Sequence, residues 1–365
     1  MRAEAVDAMM PFLSERFGNP SGAHALARDA RRAVDDARDV MADALGCAPG
    51  EIVFTGGGSE ADNLAVFGVH GRGADGKRVL CTAVEHHAVL HPVAALGGQL
   101  IGVDSRGIVD LDALAAQLDD RVGFVSVMLA NNEVGTVQPL DAVRDLVHDR
   151  APSAVIHTDA VQAFPWLDVA TRAAPADLVS ISAHKFGGPK GVGALVVRGG
   201  TPLAPLILGG GQERERRSGT HNVAGIAAMA AAAAVTVDER KAVVDRVSAL
   251  RDRLADHVLV AVPGAIETGE RTVKIAGNCH VCFPGIESEA LLFLLEQRGV
   301  YASAGSSCAS GAQEPSHVLT AMGVPREVAL GSIRLSLGVT TTDTDVDVAI
   351  AAIVAGVAHL RRTGS

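Results

Sequence analysis

Between residues 77 and 200 six short β-rich runs follow one another: RVLCTAV, QLIGVD, VGFVSVML, AVIHTDA, DLVSISA and GALVVR. Helical patterns such as LDALAAQL and LDAVRDLVHDR separate several of them. Parallel strands need a long crossover between them, usually a helix, and when buried on both faces they read as nearly continuous apolar runs. The alternation therefore predicts βαβ units and a mostly parallel, doubly covered sheet, the α/β class. Upstream, EIVFT reads as one more short strand, after a helical pattern HALARDARRAVDDARDVMADALG that stops at Gly46.

The Ala-rich segment from about residue 222 to 256 predicts one long helix or a helix pair leaving this region. Beyond it, KIAGNCHVCFPG, ESEALLFLLEQRG and SIRLSLGV read as strand, helix and strand, before a closing helix near DVDVAIAAIVAGVAHLRR. The expected division is a large domain over 13–245 and a smaller α/β domain over 246–365, joined by residues 1–12. With 365 residues and 48% hydrophobic content the chain has enough apolar side chain for such cores. A net charge of -10 without a long Lys/Arg run argues against direct nucleic-acid binding and toward small-molecule or protein partners. No apolar run reaches the roughly 20 residues of a membrane span, and MRAEAVDAMMPF lacks the pattern of a secretory signal, so a cytoplasmic protein is expected. Cysteines at 47, 81, 279, 282 and 308 are odd in number and scattered, the usage of reduced thiols.

The chemistry concentrates at the ends of the predicted strands. In SAHKFGGPKGVGALVV, residues 182 to 197, Lys185 ends a β-run instead of decorating a polar helix face. A desolvated amine there loses its proton and attacks a carbonyl, as a Schiff-base lysine must. The plain alternative is a surface lysine. Twenty-six residues upstream, HTDAVQA ends another strand with Asp159, followed by Gln162. Pyridoxal phosphate asks for a carboxylate at its pyridinium nitrogen and a donor at its phenolic oxygen, although Asp159 alone also reads as a helix cap or turn residue. FTGGGSEADN puts Gly58 and Ser59 between a strand and a helix start, a cradle for a phosphate group, and lacks both the P-loop ending and the dinucleotide fingerprint. In VEHHAVLHP, His87 and His91 have the spacing of two metal ligands on one helix face, but no HExxH pattern accompanies them. A histidine stacked on a cofactor ring, or working as an acid/base, is the reading adopted.

Taken in order, FTGGGSEADNLA, VEHHAVL, NNEVGTVQPL, HTDAVQAF, SAHKFGGPKGVG, GGGQERERRSGT, SAGSSCASG and SIRLSLG resemble the successive motifs of cysteine desulfurases. These belong to the class V aminotransferase group of pyridoxal phosphate enzymes of fold type I. The resemblance implies a mostly parallel, seven-stranded mixed sheet in the large domain and a smaller α/β domain carrying the catalytic cysteine. It implies pyridoxal 5'-phosphate bound to Lys185, with Gly58, Ser59, Ser182 and His184 on its phosphate. Asp159 meets the pyridinium nitrogen, Gln162 the phenolic oxygen, and His86 stacks on the ring. Asn132 lies beside ring and substrate, Arg334 holds the substrate carboxylate, and Thr220 reaches the phosphate of the neighbouring subunit in a homodimer.

The loop SAGSSCASGAQEPSH matches the longer of the two cysteine motifs in that family, which makes Cys308 the nucleophile. The implied reaction turns L-cysteine into L-alanine, with sulfur held on Cys308 as a persulfide. The sulfur then passes to an acceptor protein, an iron–sulfur scaffold or a thiolation protein. A Ser/Gly/Ala-rich tether suits such a relay, so a poorly ordered swinging arm is expected. The alternatives are a selenocysteine lyase, another carbon–sulfur lyase or aminotransferase of the same fold, and an inactive sulfur-assembly scaffold. Family members begin with a short strand and a segment close to hydrophobic-D-x-A-T-T-P. This chain opens inside the following helix and reads as having a shortened or misassigned start, at a cost to substrate binding and folding more than to cofactor binding. Cys279 and Cys282 in NCHVC read as core residues, and RERRSGT, residues 214 to 220, as a salt-bridged turn instead of a nucleic-acid patch.

Overall fold

The computed structural model describes residues 1–71, 76–305, 307–309 and 312–364, with side chains excepted over 306–313. The chain forms two compact units, one of residues 1–101, 111–129 and 138–240, the other of 102–110, 130–137 and 241–365. Residues 1–12 thus go with the first unit, and two internal segments go with the second. The 39-residue helix Val223–Ala261 runs through the division.

The first unit holds a seven-stranded sheet: β1 (Ile52–Thr55), β2 (Arg78–Thr82), β3 (Gln99–Ile101), β4 (Val122–Ser126), β5 (Val155–Asp159), β6 (Leu178–Ser182) and β7 (Gly193–Val197). Their spatial order is β1-β7-β6-β5-β4-β2-β3. All neighbouring pairs are parallel except the two made by β7, which opposes both β1 and β6. Two reversals cancel, so β1 runs with the other five. The C-terminal ends of β1, β2, β5 and β6 consequently open on one edge of the sheet, the edge at which open α/β sheets bind ligands. Strands β1, β4, β5, β6 and β7 are buried at every residue, as strands covered on both faces must be. The helix Gly58–His70 contributes Ala61, Leu64, Ala65 and Val69 to a core shared with Val53, Phe124, Leu178 and Leu195. The predicted helix stop is real: the helix Ala25–Leu45 ends at Gly46 with φ +63°, the left-handed conformation glycine permits.

In the second unit β8 (Ile266–Glu267), β9 (Asn278–Cys282), β10 (Ser303–Ala304) and β13 (Ser332–Ser336) make an antiparallel sheet in the order β10-β13-β9-β8. The helices Ser288–Glu296 and Asp343–Thr363 pack on each other beside it. Thr342 caps the latter by accepting from Asp345 N–H while Asp345 returns the bond, a capping box. Between β10 and β13, β11 (Ser307–Ala309) and β12 (Ala312–Glu314) pair as a short antiparallel ladder, with Cys308 opposite Gln313. The segment read as a loose loop therefore contains strand pairing, while the Cys308 side chain lies outside the described residues. No described helix is long and apolar enough to cross a membrane.

Candidate active site

At the end of β1 the chain turns through Gly56, Gly57 and Gly58 into a helix. Gly57 has φ +145°, closed to other residues, and it caps the helix Gly58–His70 without a side-chain bond, which leaves backbone N–H groups for an anion. The approach is close. A Cβ on Gly58 would stand 2.8 Å from Val161 Cγ2 and 3.3 Å from Ser182 Cβ. The Glu60 side chain braces the turn, accepting from Gly56 N–H at 2.9 Å and pairing with Arg217 at 2.7 Å.

Ser182 closes β6, and a short 3-10 turn, Ala183–Lys185, follows. Ser182 Oγ lies 2.9 Å from His184 Nδ1, so the two residues assigned to a phosphate are already coupled. Burial, then Lys185 and Lys190, lowers the His184 pKa. Lys185 itself is exposed, contrary to the desolvated amine expected for it, because the turn carries it past the buried end of the strand. Asp159 closes β5, is buried, and accepts from Val161 N–H at 2.8 Å. Desolvation pushes its pKa up to about 6, against that backbone bond and the field of Lys185. Gln162 is half-buried in the turn after it.

His86 follows β2 and caps the helix His87–Ala95, its Nδ1 accepting from Ala88 N–H at 3.1 Å. With Nδ1 an acceptor, the neutral ring carries its proton on Nε2. Asn63 ties this helix start to the phosphate-type turn by donating to the carbonyls of Ser59 and Ala88. Thr220 is exposed and lines a cavity of about 120 Å³ with Thr55, Gly56 and Asn222. Among the described residues, the ion pairs of the segment before it run to residues elsewhere in the chain, not between its own alternating charges as expected of a salt-bridged turn: buried Glu213 meets Arg38 at 2.6 Å and His221 at 2.7 Å and accepts from Phe54 N–H, and Arg217 meets Glu60. Glu213, Arg214 and Glu215 all have positive φ, between 49° and 64°.

The second unit brings together Arg334 and Asn132. Arg334 Nη1 donates to the Asn132 carbonyl at 3.1 Å, and Asn278 Nδ2 donates to the same oxygen at 3.3 Å. On β13 Arg334 lies opposite His280 of β9 and Ser303 of β10. Cys279 and Cys282 are buried in β9, and desolvation raises each thiol to about 12, which fits core residues.

Residues 1–348 match the family described as aminotransferase class-V. The chain belongs to that family. Among curated relatives of this class-V aminotransferase, a cysteine desulfurase IscS of Methanosarcina thermophila is 43% identical over 344 residues, 93% of this chain and 84% of the relative. An IscS-like cysteine desulfurase of Mycobacterium tuberculosis is 42% identical over 375 residues, 99% of this chain and 95% of the relative. A solved NifS-like protein superimposes with a TM-score of 0.92 at 36% identity, covering 99% and 97% of the two chains. These matches put the chain among the cysteine desulfurases of the family, pyridoxal 5'-phosphate enzymes of fold type I.

The first unit fits that cofactor. A glycine cradle that a Cβ would fill, a serine–histidine pair beside it, a buried carboxylate and a lysine all leave one sheet edge. Three buried groups of this region have no role in the sequence reading: Asp62, Glu85 and His157. Each lies inside or next to a quoted motif, and nothing in the local pattern separates a buried polar residue from an exposed one.

Proposed function

We propose that this chain desulfurates L-cysteine, yielding L-alanine and a persulfide on Cys308 that is passed to an acceptor protein. The observation that carries the proposal is the shared edge on which Lys185, Asp159 and the Gly57–Gly58 cradle meet. Gly58, Ser59, Ser182 and His184 hold the cofactor phosphate, Asp159 keeps negative charge at its ring nitrogen, and Gln162 donates to its phenolic oxygen. When bound, pyridoxal phosphate draws electrons from the substrate's α-carbon. Lys185 anchors the cofactor before turnover and moves the α-proton during it. Arg334 receives the substrate carboxylate with Asn132 beside it, and His86, protonated on Nε2, covers the ring and handles the proton of the leaving sulfur. The Cys308 thiolate attacks the substrate sulfur as its bond to carbon breaks, so one thiol and L-cysteine become one persulfide and L-alanine. Thr220 reaches the phosphate of a second copy, which makes the working unit a homodimer. Sulfur goes on to an iron–sulfur scaffold or a thiolation protein, in the cytoplasm.

The test is to purify the protein, record its yellow cofactor colour, and measure alanine and sulfide from L-cysteine. Lys185→Ala is expected to lose turnover altogether, and Cys308→Ala to keep the colour but release little sulfide. Undiminished desulfuration by Cys308→Ala sinks the persulfide step, and a colourless protein that cannot be reconstituted sinks the enzyme.

A further inference from the structure

Close to Asp159 in the first unit, Ser126 of β4, His157 of β5 and Ser180 of β6 form a hydrogen-bonded row across the sheet, all fully buried. Ser126 Oγ is 2.9 Å from His157 Nδ1, and His157 Nε2 is 2.9 Å from Ser180 Oγ. An acid stands at each end. Glu85 Oε1 receives Met128 N–H at 2.7 Å, Thr82 Oγ1 at 3.2 Å and Ser126 Oγ at 3.3 Å. Asp62, on the helix Gly58–His70, is buried and places Oδ1 3.6 Å from His157 Nε2, without a hydrogen-bond partner among the described residues. Asp159 follows His157 by two residues on the same strand, so their side chains share one face of the sheet.

Hydrogen counting gives the row a direction. Each serine hydroxyl has one hydrogen and a neutral imidazole has one N–H. Glu85 Oε1 already takes a backbone N–H and a threonine hydroxyl, so it is an acceptor toward Ser126 whether or not Glu85 holds a proton on Oε2. Ser126 then accepts from His157 Nδ1–H and the bare Nε2 accepts from Ser180, so the row has no hydrogen left to offer the Asp62 oxygen beside it.

We infer that Asp62 is a neutral acid and a positioning residue: protonated beside the bare His157 Nε2, it leaves the row aligned toward Glu85 and leaves Asp159 as the ionised carboxylate presented to the cofactor's ring nitrogen. Only the last clause rests on the function proposed above. The opposite alignment takes the Ser126 hydrogen away from Glu85 Oε1 and turns His157 Nε2–H toward an ionised Asp62, a second buried negative charge near Asp159, which is disfavoured. The electrostatics agree. Burial and Asp159 push the Asp62 pKa well up, burial raises Glu85 to about 8, and burial lowers His157 to about 3, which keeps the imidazole neutral.

The experiment is ring-nitrogen NMR of histidine-labelled holoenzyme, with His157 assigned by the signals lost in His157→Gln. The expected spectrum has Nδ1 protonated and Nε2 bare, and Asp62→Asn, uncharged like the neutral acid it replaces, retains it. The same variant keeps cofactor affinity within about threefold, since an uncharged acid is replaced by an uncharged isostere. A proton on Nε2 in the wild type overturns the inference, as does a loss of affinity beyond about tenfold in a folded Asp62→Asn variant. If that variant does not fold, the wild-type tautomer and the carboxyl carbon shift of Asp62 still decide the matter. Unchanged cofactor affinity in Asp159→Asn removes the ring-nitrogen reading and leaves the tautomer result standing.

Discussion

A carboxyl group buried without a cation holds its proton more tightly than it does in the unfolded chain, and this chain buries several near the proposed cofactor ring. Glu85 rises from 4.5 to about 8 and Asp159 from 3.8 to about 6, both through desolvation first. Their contribution to stability is complete below the ordinary carboxylate values and is lost as pH rises through about 6 and then about 8. Glu213 works the other way: desolvation is outweighed by His221, Arg38 and Phe54 N–H, and its pKa falls from 4.5 to about 2. Its contribution is present above 4.5 and lost as pH falls toward 2. Thermal melts of cofactor-free protein are therefore expected to peak on the acid side of neutrality and to decline steadily into the alkaline range. A maximum in alkaline buffer contradicts the carboxyl assignments. The buried thiols give a second check. Cys81, Cys279 and Cys282 are buried with raised pKa values, so an alkylating reagent at neutral pH should leave all three unmodified until the chain unfolds, as peptide mass spectrometry would show.

Two glycines at one junction of elements separate a structural cost from a functional one. A Cβ on Gly193 in β7 would lie 2.6 Å from Ile181 O and 2.7 Å from Gly57 C, both backbone atoms that cannot step aside. Gly193→Ala is expected to destabilise the fold by about 1–3 kcal/mol in denaturant titration. A Cβ on Gly58 instead meets the Val161 side chain, which can move but sits two residues beyond Asp159. Gly58→Ala should fold and bind pyridoxal phosphate about tenfold more weakly, by equilibrium titration. At this scale the sequence was most legible where burial is continuous. All seven strands of the large sheet were readable as β-rich runs, most clearly β1, β4, β5, β6 and β7, where cover on both faces leaves no room for polar alternation, whereas the edge strand β3 is exposed at Gln99 and Leu100. The two-residue strands β8 and β10 carry no such signal, and the pairing of β11 with β12 is hidden in small residues that favour neither strand nor helix.

For the molecule as a whole, family motifs supply the proposed cofactor residues, and the fold puts those of the first unit on one edge or its flanking turns. What stayed illegible depends on contacts far apart in sequence. The segments 102–110 and 130–137 belong to the second unit although helices and strands of the first surround them in the chain. Lys185 sits exposed past its strand, and the acids Asp62 and Glu85 look like surface residues until a sheet and a helix enclose them. The antiparallel strand β7 has a further consequence, one of timing. It lies between β1 and β6, so the glycine turn after β1 has no neighbour in the sheet until Gly193–Val197 has been synthesised and inserted. A ribosome-bound chain that stops short of Val197 holds Lys185 and Asp159 but has no assembled phosphate cradle, which makes cofactor capture a late event in the birth of this protein.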